Sequence, residues 1–340
     1  MPRVGLHHDP RHAAHDPGGH PEHPGRVSAI LAHIEACDLG PALMPVLERV
    51  ATDDDLRLVH DQRLIDAVQR AETIGGAWLD ADTVVMPGSV EAARRAVGGA
   101  LEAVDRVLDG RLDRAFCVDR PPGHHAARTG RWDSVCSTRL PLPPGVLRRH
   151  GLERVAIVDF DVHHGNGTQD AFWRDGAVLY CSTHEYPFYP GTGHWRGGRR
   201  GRAPARRSTC RCRPAAVTRV LRRFDRVALP ALRRHAPQLI LVSAGFDAHL
   251  ADPLASMAVT AAGYEGMARR LVEAAAELCD GRLVYVLEGG YRLEAIARAA
   301  ELSLRAMLGE PPSEPAPAGV APREDVARLI GAVGRLHNLT

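Results

Sequence analysis

The residues with the clearest capacity for chemistry lie in one run, Asp159-Phe160-Asp161-Val162-His163-His164-Gly165-Asn166. On an extended strand end, residues 159, 161 and 163 point to one face and present two carboxylates and an imidazole together. A catalytic zinc ion takes three nitrogen or oxygen ligands and keeps one position open for water. Asp161 and His163 supply two such ligands, and Asp247, which follows another strand-like run, is the natural third. A lone Asp-x-His pair usually caps a loop, but the second strand-end carboxylate favours a metal site.

Two adjacent histidines, His124 and His125, follow the rigid run Arg120-Pro121-Pro122-Gly123. One imidazole can accept the proton of an attacking water while the other stays charged. Each needs an acceptor that fixes its tautomer. Asp159 can serve His124 if it is not a zinc ligand, and Asn166 can serve His125. Such a pair alone is usually a surface loop, but beside the zinc run it predicts acid–base chemistry.

A third run, Leu287-Glu288-Gly289-Gly290-Tyr291, joins two glycines to a tyrosine. Glycine lets the backbone approach a ligand closely, and a tyrosine hydroxyl can donate to the oxyanion of a tetrahedral intermediate. The local sequence fits equally well a strand-to-helix turn whose tyrosine only packs.

Short apolar runs alternate with amphipathic stretches along the chain. The predicted strands are Arg114–Val118, Val155–Val158, Leu239–Val242 and Leu283–Leu287, and the predicted helices are Ser89–Leu108, Phe224–His235, Thr260–Leu278 and Leu293–Leu308. Buried strands that alternate with helices predict a parallel sheet covered on both faces. Each polar run follows a strand end, where open α/β sheets bind their ligands, so the runs should converge.

The composition sets the broad class of protein. The chain has 340 residues, 45% of them hydrophobic and 25% charged, with a formal net charge of +2. This length suits one large α/β domain or two small ones, and so small a charge predicts no affinity for nucleic acid. We expect no membrane association, because no run approaches the roughly 18 apolar residues of a spanning helix. Met1–Val4 does not open an apolar signal segment, and seven scattered cysteines are typical of a reduced, cytoplasmic protein.

Taken together, these runs resemble the histone deacetylase and acetylpolyamine amidohydrolase superfamily. Further matches are the runs His20-Pro21-Glu22-His23-Pro24-Gly25-Arg26 and Phe188-Tyr189-Pro190-Gly191-Thr192-Gly193, and the resemblance extends from about His15 to Leu308. It implies an arginase-like, three-layer α/β fold with a central, mostly parallel sheet of about eight strands flanked by helices.

The resemblance also implies roles for individual residues. The implied zinc ligands are Asp161, His163 and Asp247, and the implied catalytic residues are His124, His125, Asp159, Asn166 and Tyr291. His124 would pair with Asp159 and His125 with Asn166, and Tyr291 would polarise the substrate carbonyl. Asparagine at 166 and the Glu-Gly-Gly-Tyr run are similar to the class II branch.

Substrate-contacting positions also follow from the resemblance; they are Phe188, Tyr189, Leu254, Asp82, Gly289 and Gly290, with Asp80 as the alternative to Asp82 at the rim. Leucine at the gatekeeper position 254 would pack against an alkyl lysine stem, whereas an acidic residue there would favour a cationic polyamine. The family often holds a potassium ion beneath the zinc, and the implied site is the backbone around Asp159, Asp161 and His163 with the Ser182 side chain. Arg26 would line an internal exit channel.

Two segments depart from the family pattern, roughly residues 128–145 and 199–219. Codons for Trp132 to Thr138, read one base earlier, can spell Met-Gly-Phe-Cys-Leu-Phe-Asn, which fits the family text. Codons for Ser208 to Thr218, read from the third base, can spell Asn-Val-Pro-Leu-Pro-Pro-Gly-Cys-Gly-Asp, which also fits. The hypothesis is that both segments are out of frame, through sequencing errors or through paired frameshifts in a decaying gene.

The sequence therefore predicts a zinc-dependent amidohydrolase, with one zinc ion per chain, that acts on acetyl-lysine in proteins or on small acetyl-amides. The alternatives are an acetylpolyamine amidohydrolase and a catalytically impaired, zinc-containing binder of acyl-lysine. A manganese ureohydrolase of the same fold is disfavoured, because it needs a two-metal set of carboxylates. Residues 1–310 should form a single domain and 311–340 a flexible proline-rich tail with a short terminal helix at 324–336; the oligomeric state is left open.

We expect re-sequencing of the gene to return a family-like reading frame through residues 128–145 and 199–219. An intact reading of the present frame would rule out the sequencing-error explanation.

Overall fold

Strands form the central layer of the protein. The structure is a computed structural model, and it describes residues 1–79, 83–126, 149–194, 207–212, 217–313 and 331–335. The strands are β1 (Val4–His7), β2 (Leu43–Pro45), β3 (Ala77–Trp78), β4 (Val84–Val85), β5 (Arg114–Cys117), β6 (Val155–Asp159), β7 (Val178–Glu185), β8 (Arg207–Cys212), β9 (Ile240–Ala244) and β10 (Leu283–Leu287). Eight of them form one parallel sheet in the order β2-β1-β5-β10-β9-β6-β7-β8. The predicted parallel sheet of about eight strands is confirmed, and β3 and β4 form a separate antiparallel hairpin.

Helices cover both faces of this sheet. They are α1 (Gly25–Ala36), α2 (Asp53–Arg57), α3 (Gln62–Thr73), α4 (Ser89–Leu108), α5 (Asn166–Ala171), α6 (Val217–Arg223), α7 (Leu229–His235), α8 (Ala261–Leu278) and α9 (Leu293–Leu308). Two short 3₁₀ turns, Pro10–Ala14 and Gly40–Ala42, connect elements near the start of the chain. Within the described part of the chain, no helix is both long enough and apolar enough to cross a bilayer.

Alternate residues of each central strand face opposite helical layers. In β5, Phe116 packs in the cluster that contains residues of α1, α8 and α9, whereas Ala115 and Cys117 pack with α4. Because both faces are covered, these strands read as continuous apolar runs rather than as an alternation of apolar and polar residues. This explains why they could be recognised in the sequence.

The observed elements differ from the predicted ones in two instructive places. The predicted helix Phe224–His235 begins with a π turn, Phe224–Ala228, and only then continues as α7. Strand β6 ends at Asp159, so residues 161 and 163 lie in the loop after the strand rather than on an extended strand end. Of the predicted terminal helix at 324–336, residues 331–335 are helical, and the others lie outside the described residues.

Local sequence signals set the ends of the two longest C-terminal helices. Thr260 precedes α8, and its side chain accepts a hydrogen bond from the Gly263 amide at 3.2 Å, which satisfies one of the free amides of the first turn. Helix α9 ends at Gly309, whose φ of 78° is the left-handed conformation that favours glycine at this position. Helix α9 packs on both α1 and α8, so the loop before it is held by two neighbours.

A buried ion-pair network links the N-terminal segment to the loops beyond the sheet. The Glu22 carboxylate accepts hydrogen bonds from Arg120 at 2.5 Å and from Arg26 at 3.0 Å, and both guanidinium groups are fully buried. Arg26 also donates to the backbone carbonyls of Gly290, at 2.7 Å, and Glu288. One carboxylate therefore holds together the loop after β5, the loop after β10 and the start of α1.

Acid should weaken this network, with Glu22 as the titrating group. Burial raises the pKa of Glu22, but the charges of Arg120 and Arg26 outweigh that effect and lower it from 4.5 to about 2. A carboxyl with a lowered folded-state pKa contributes stability that is present above about 4.5 and is lost as the pH falls toward about 2, on the order of 3 kcal/mol in all. Glu22→Gln should lower the free energy of unfolding at neutral pH by roughly 3–5 kcal/mol, because it leaves two buried cations without their anion.

Urea unfolding at several pH values measures both effects. Across the acid range, the wild-type protein should lose more stability than the Glu22→Gln variant, by the amount that Glu22 contributes. The matched control is Glu35→Gln, which changes an exposed carboxylate on the same helix α1 and should alter stability by less than about 0.5 kcal/mol. Parallel losses in wild type and Glu22→Gln would contradict the assignment.

Candidate active site

The polar runs identified in the sequence meet at the carboxyl edge of the sheet. Five adjacent strands, in the order β5-β10-β9-β6-β7, end at this edge. The loops that follow them carry His124 and His125 after β5, Tyr291 after β10, Asp247 after β9, Asp161 and His163 after β6, and Phe188 and Tyr189 after β7. This is the position where an open parallel sheet offers its ligand site, so the predicted convergence is observed.

Three of these residues form a compact cluster of metal-binding atoms. The His163 Nδ1 atom lies 3.1 Å from Asp161 Oδ1 and 3.1 Å from Asp247 Oδ2. One ligand atom from each of the three residues lies within 4.8 Å of the others, and all three residues are buried. Two carboxylates and one imidazole are a set of hard and borderline donors that suits a divalent cation.

Backbone amides fix the two carboxylates of the cluster. The Val162 amide donates to Asp247 Oδ1, and the Gly289 amide donates to Asp161 Oδ2, each at 2.8 Å. A Cβ atom at Gly289 would overlap the Asp247 carboxylate, so this close approach requires glycine. The run Leu287–Tyr291 thus forms part of the wall around the Asp161–His163–Asp247 cluster.

The charges of the cluster are strongly coupled. Burial lowers the pKa of His163, but hydrogen bonds to Asp161 and Asp247 outweigh burial and raise it to about 10. Burial, reinforced by the charge of Asp161, raises the pKa of Asp247 to about 7. A proton on His163 therefore bridges two carboxylates, and a divalent cation would replace that proton when it binds. The residues present fit a metal ion.

Each of the two adjacent histidines has a different partner. His124 Nδ1 lies 3.1 Å from the Asp159 carboxylate, which also accepts a hydrogen bond from the Tyr180 hydroxyl at 2.9 Å. His125 Nδ1 lies 2.7 Å from the side-chain oxygen of Asn166. An amide oxygen only accepts, so His125 carries its proton on Nδ1 and has a basic Nε2 atom when neutral. Both predicted pairs, His124 with Asp159 and His125 with Asn166, are therefore in contact, and Asp159 is not a member of the Asp161–His163–Asp247 cluster.

These partners give the two imidazoles opposite charge preferences. Burial alone would lower the pKa of His124, but the carboxylates of Asp161 and Asp159 raise it well above its ordinary value. Burial lowers the pKa of His125 well below its ordinary value, and the neighbouring charges on His124 and His163 lower it further. At neutral pH, His124 is therefore the charged member of the pair and His125 the neutral member.

A cavity of about 420 Å³ opens beside His163 of the Asp161–His163–Asp247 cluster, and aromatic rings line one side of it. The Phe188 ring stacks on His163 with centroids 5.2 Å apart, and Tyr189 meets His125 edge-on at 5.2 Å. Leu254, which is 39% exposed, stands at the wall of the cavity. The described lining includes these predicted substrate positions together with His124, Gly289 and Tyr291. Asp82 and Asp80 lie outside the described residues.

Tyr291 sits between the cavity and the buried ion-pair network. Its backbone amide donates to Asp252 Oδ2 at 2.7 Å, and the Arg26 guanidinium lies 5.0 Å from the centre of its ring. Burial raises the pKa of the Tyr291 hydroxyl well above its ordinary value, so the group keeps its proton and can donate it in a hydrogen bond. The Gly290 carbonyl accepts a hydrogen bond from Arg26, and Gly290 is not among the residues that line the described cavity.

Several contacts at the site were missed in the sequence. The Glu288 carboxylate accepts hydrogen bonds from the Gly123 amide at 2.7 Å and the His124 amide at 3.2 Å, and so fixes the histidine loop. Tyr180 orients Asp159. Glu288 stood inside a recognised run, which was a usable signal, whereas Tyr180 lies within an apolar strand and gave none.

The structure describes all four residues that were predicted to hold potassium. Ser182 is the register partner of Asp159 on neighbouring strands, and its hydroxyl lies 2.8 Å from His184 Nδ1. All four residues of the predicted set are buried, and two of them, Asp161 and His163, also belong to the Asp161–His163–Asp247 cluster.

Comparison with known proteins places this site in a family. The family model described as histone deacetylase domain matches residues 20–307. Histone deacetylase 15 of Arabidopsis thaliana is 34% identical over 89% of this chain, which spans 55% of that protein's length. The histone deacetylase-like amidohydrolase of Pseudomonas aeruginosa is 35% identical over 80% of this chain and 73% of its own length.

A solved structure agrees with the sequence relatives. The crystal structure of the HDA15 HD domain superposes with a TM-score of 0.90 at 30% identity, covering 98% of this chain and 96% of that one. The predicted arginase- and deacetylase-like fold is therefore confirmed. With the match of the family model over most of its length, this chain belongs to the histone deacetylase family.

Proposed function

We propose that this member of the histone deacetylase family is a zinc-dependent deacetylase whose substrates are acetyl-lysine side chains of proteins. The observation that carries the proposal is the meeting of the Asp161–His163–Asp247 cluster, the neutral His125 and Tyr291 at one cavity. Family membership supports a hydrolase of the deacetylase type. Zinc and acetyl-lysine are the specific additions of the proposal.

Zinc is supported by the number and type of donor atoms. The cluster offers one nitrogen and two carboxylates, and three protein ligands with an open fourth position are typical of catalytic zinc. Such an ion, one per chain, would polarise the amide carbonyl and lower the pKa of water. Asp161, His163 and Asp247 would hold it.

The other residues divide the work of amide hydrolysis. Nε2 of His125 accepts the proton of the attacking water, and Asn166 holds the ring in the tautomer that leaves this atom basic. The Tyr291 hydroxyl donates to the substrate oxygen as negative charge develops on it. The charged His124, held by Asp159, is placed to give a proton to the leaving amine.

The shape and polarity of the cavity support an acyl-lysine substrate. Phe188 and Tyr189 form an aromatic wall that fits an alkyl stem and excludes water from the reacting carbonyl. Leu254 adds an apolar rim and offers no carboxylate to a cationic polyamine, which makes an acetylpolyamine the second candidate. Small acetyl-amides would fit the same wall.

Three further elements of the proposal rest on the family resemblance and on composition. A potassium ion would lie among Asp159, Asp161, His163 and Ser182, and Arg26 would line an exit channel for the released acid. The scattered cysteines favour a cytoplasmic location.

A catalytically impaired binder of acyl-lysine is the competing function. It is favoured by the atypical segment 128–145, which follows the histidine loop directly and in the family supplies part of the tunnel wall. The intact set of metal and proton-transfer residues favours turnover instead.

Turnover of a fluorogenic acetyl-lysine peptide tests the proposal. We expect zinc-dependent release that falls by about 10²–10⁴-fold in His125→Ala, because the general base is lost, and by about 10²–10³-fold in Tyr291→Phe, because one donor to the oxyanion is lost. His150→Ala is the matched control, since His150 pairs with Asp105 at the C-terminal end of α4, near the opposite edge of the sheet.

The outcomes separate the candidate functions. Faster release of acetate from an acetylated polyamine than from the peptide would favour the polyamine substrate. Absence of turnover in folded, zinc-loaded protein that still binds the peptide would favour the binder. Equal activity of wild type and His125→Ala would remove His125 from the mechanism.

A single charge placed beside His125 should move the acid limb of the pH profile. In Asn166→Asp, a carboxylate replaces the neutral amide 2.7 Å from Nδ1 and raises the pKa of His125. The base works only when neutral, so activity should be lost at a higher pH as the solution is acidified. The measurement is kcat/KM against pH.

Gln169→Glu is the control for this experiment. Gln169 lies on the same helix α5, but its side chain faces His164 at 3.2 Å rather than the catalytic pair. The added charge there should leave the acid limb in place. An unchanged acid limb in Asn166→Asp would show that His125 does not set it.

A further inference from the structure

A second group of metal-binding atoms lies between helices α1 and α9, outside the active-site cavity. His33 and Cys37 are four residues apart at the C-terminal end of α1, and Glu301 faces them from α9. One ligand atom from each residue lies within 4.8 Å of the others. None of the three residues takes part in the chemistry described above.

The separation of the donor atoms fits a tetrahedral ion. Zinc bonds of about 2.3 Å to sulfur and about 2.0 Å to nitrogen at a tetrahedral angle place the two atoms about 3.5 Å apart. The Cys37 Sγ atom lies 3.6 Å from His33 Nε2. Glu301 Oε2 lies 2.7 Å from the same nitrogen, a hydrogen bond that must open by a fraction of an ångström for both atoms to bind one ion.

The charge of Glu301 supports this use, although two arginines share it. The pKa of Glu301 is lowered to about 2, because hydrogen bonds from Arg305, Arg298 and His33 outweigh burial, so the group is a carboxylate. Arg305 holds the other oxygen, Oε1, at 2.8 Å and can stay in place. Arg298 contacts Oε2, but its side chain is 44% exposed and can turn to solvent when a cation binds.

The position of the group links it to the tyrosine loop. Helix α1 carries Arg26 in its first turn, and Arg26 binds the carbonyls of Glu288 and Gly290. Helix α9 begins directly after that loop, which contains Tyr291. An ion that joins His33 to Glu301 would therefore clamp two helices that together position the loop.

We propose that His33, Cys37 and Glu301 form a second divalent-cation site, of the class that takes zinc or cobalt, which joins α1 to α9. His33 is 32% exposed at its side chain, so the site opens to solvent and leaves a position for water. The two arginines make it weaker than a closed structural zinc site, and it fills as free metal rises.

Cobalt(II) is the probe that distinguishes this site from the catalytic cluster. The catalytic cluster has no sulfur ligand, so a near-ultraviolet thiolate-to-cobalt charge-transfer band reports a cysteine site alone. The full-length protein would be freed of metal with a chelator and titrated with cobalt. We expect the band in wild type and in His163→Ala. In Cys37→Ser we expect the band to be absent and the protein to bind one equivalent of cobalt fewer than wild type.

The controls keep the result independent of deacetylase activity and of folding. Cys279→Ser changes a buried cysteine elsewhere and should keep the band. His33→Gln can still donate to Glu301, so it should fold and yet bind cobalt more weakly. Cobalt should raise the thermal unfolding temperature of His163→Ala, but not that of a His163→Ala/Cys37→Ser double variant. A band that survives Cys37→Ser, or cobalt binding without any thiolate band, would overturn the proposal.

Discussion

The burial of two carboxylates side by side is the constraint on which this structure depends. Asp161 and Asp247 are fully buried, and desolvated charges of the same sign destabilise one another unless a compensating group lies between them. The amides of Val162 and Gly289 hold one oxygen of each carboxylate, and His163 faces the other two. Burying these two carboxylates lowers the stability of the metal-free fold. A bound cation would offset that loss, so metal binding and folding stability are coupled.

The neighbouring imidazoles of His124 and His125 differ in charge because one faces a carboxylate and the other a carboxamide. His124 faces the carboxylate of Asp159, and His125 faces the amide of Asn166 at a similar distance. A carboxylate stabilises the imidazolium form, while the amide only fixes the tautomer. Two residues adjacent in the chain therefore hold opposite protonation states because their side chains face different acceptors.

The sequence predicted the parts of the fold that rest on short-range patterns. Strand β10 and helices α4 and α9 were predicted with their observed ends, because continuous apolar runs and helical periodicity are local properties. The metal and histidine residues were recognised because each follows such a strand. Contacts between distant segments outside these recognised runs were not predicted, since they depend on the order of strands in the sheet. Glu22 meets Arg120 across 98 residues, and Glu288 meets Gly123 across 165.

The distribution of exposure across the site has an evolutionary consequence. Asp161 and His125 are buried, whereas Tyr189 and Leu254 are 36% and 39% exposed on separate loops. Loop positions with few partners tolerate substitution far better than buried charged ones. Natural drift and laboratory libraries can therefore change the exposed wall of the cavity while the buried residues beneath it are retained.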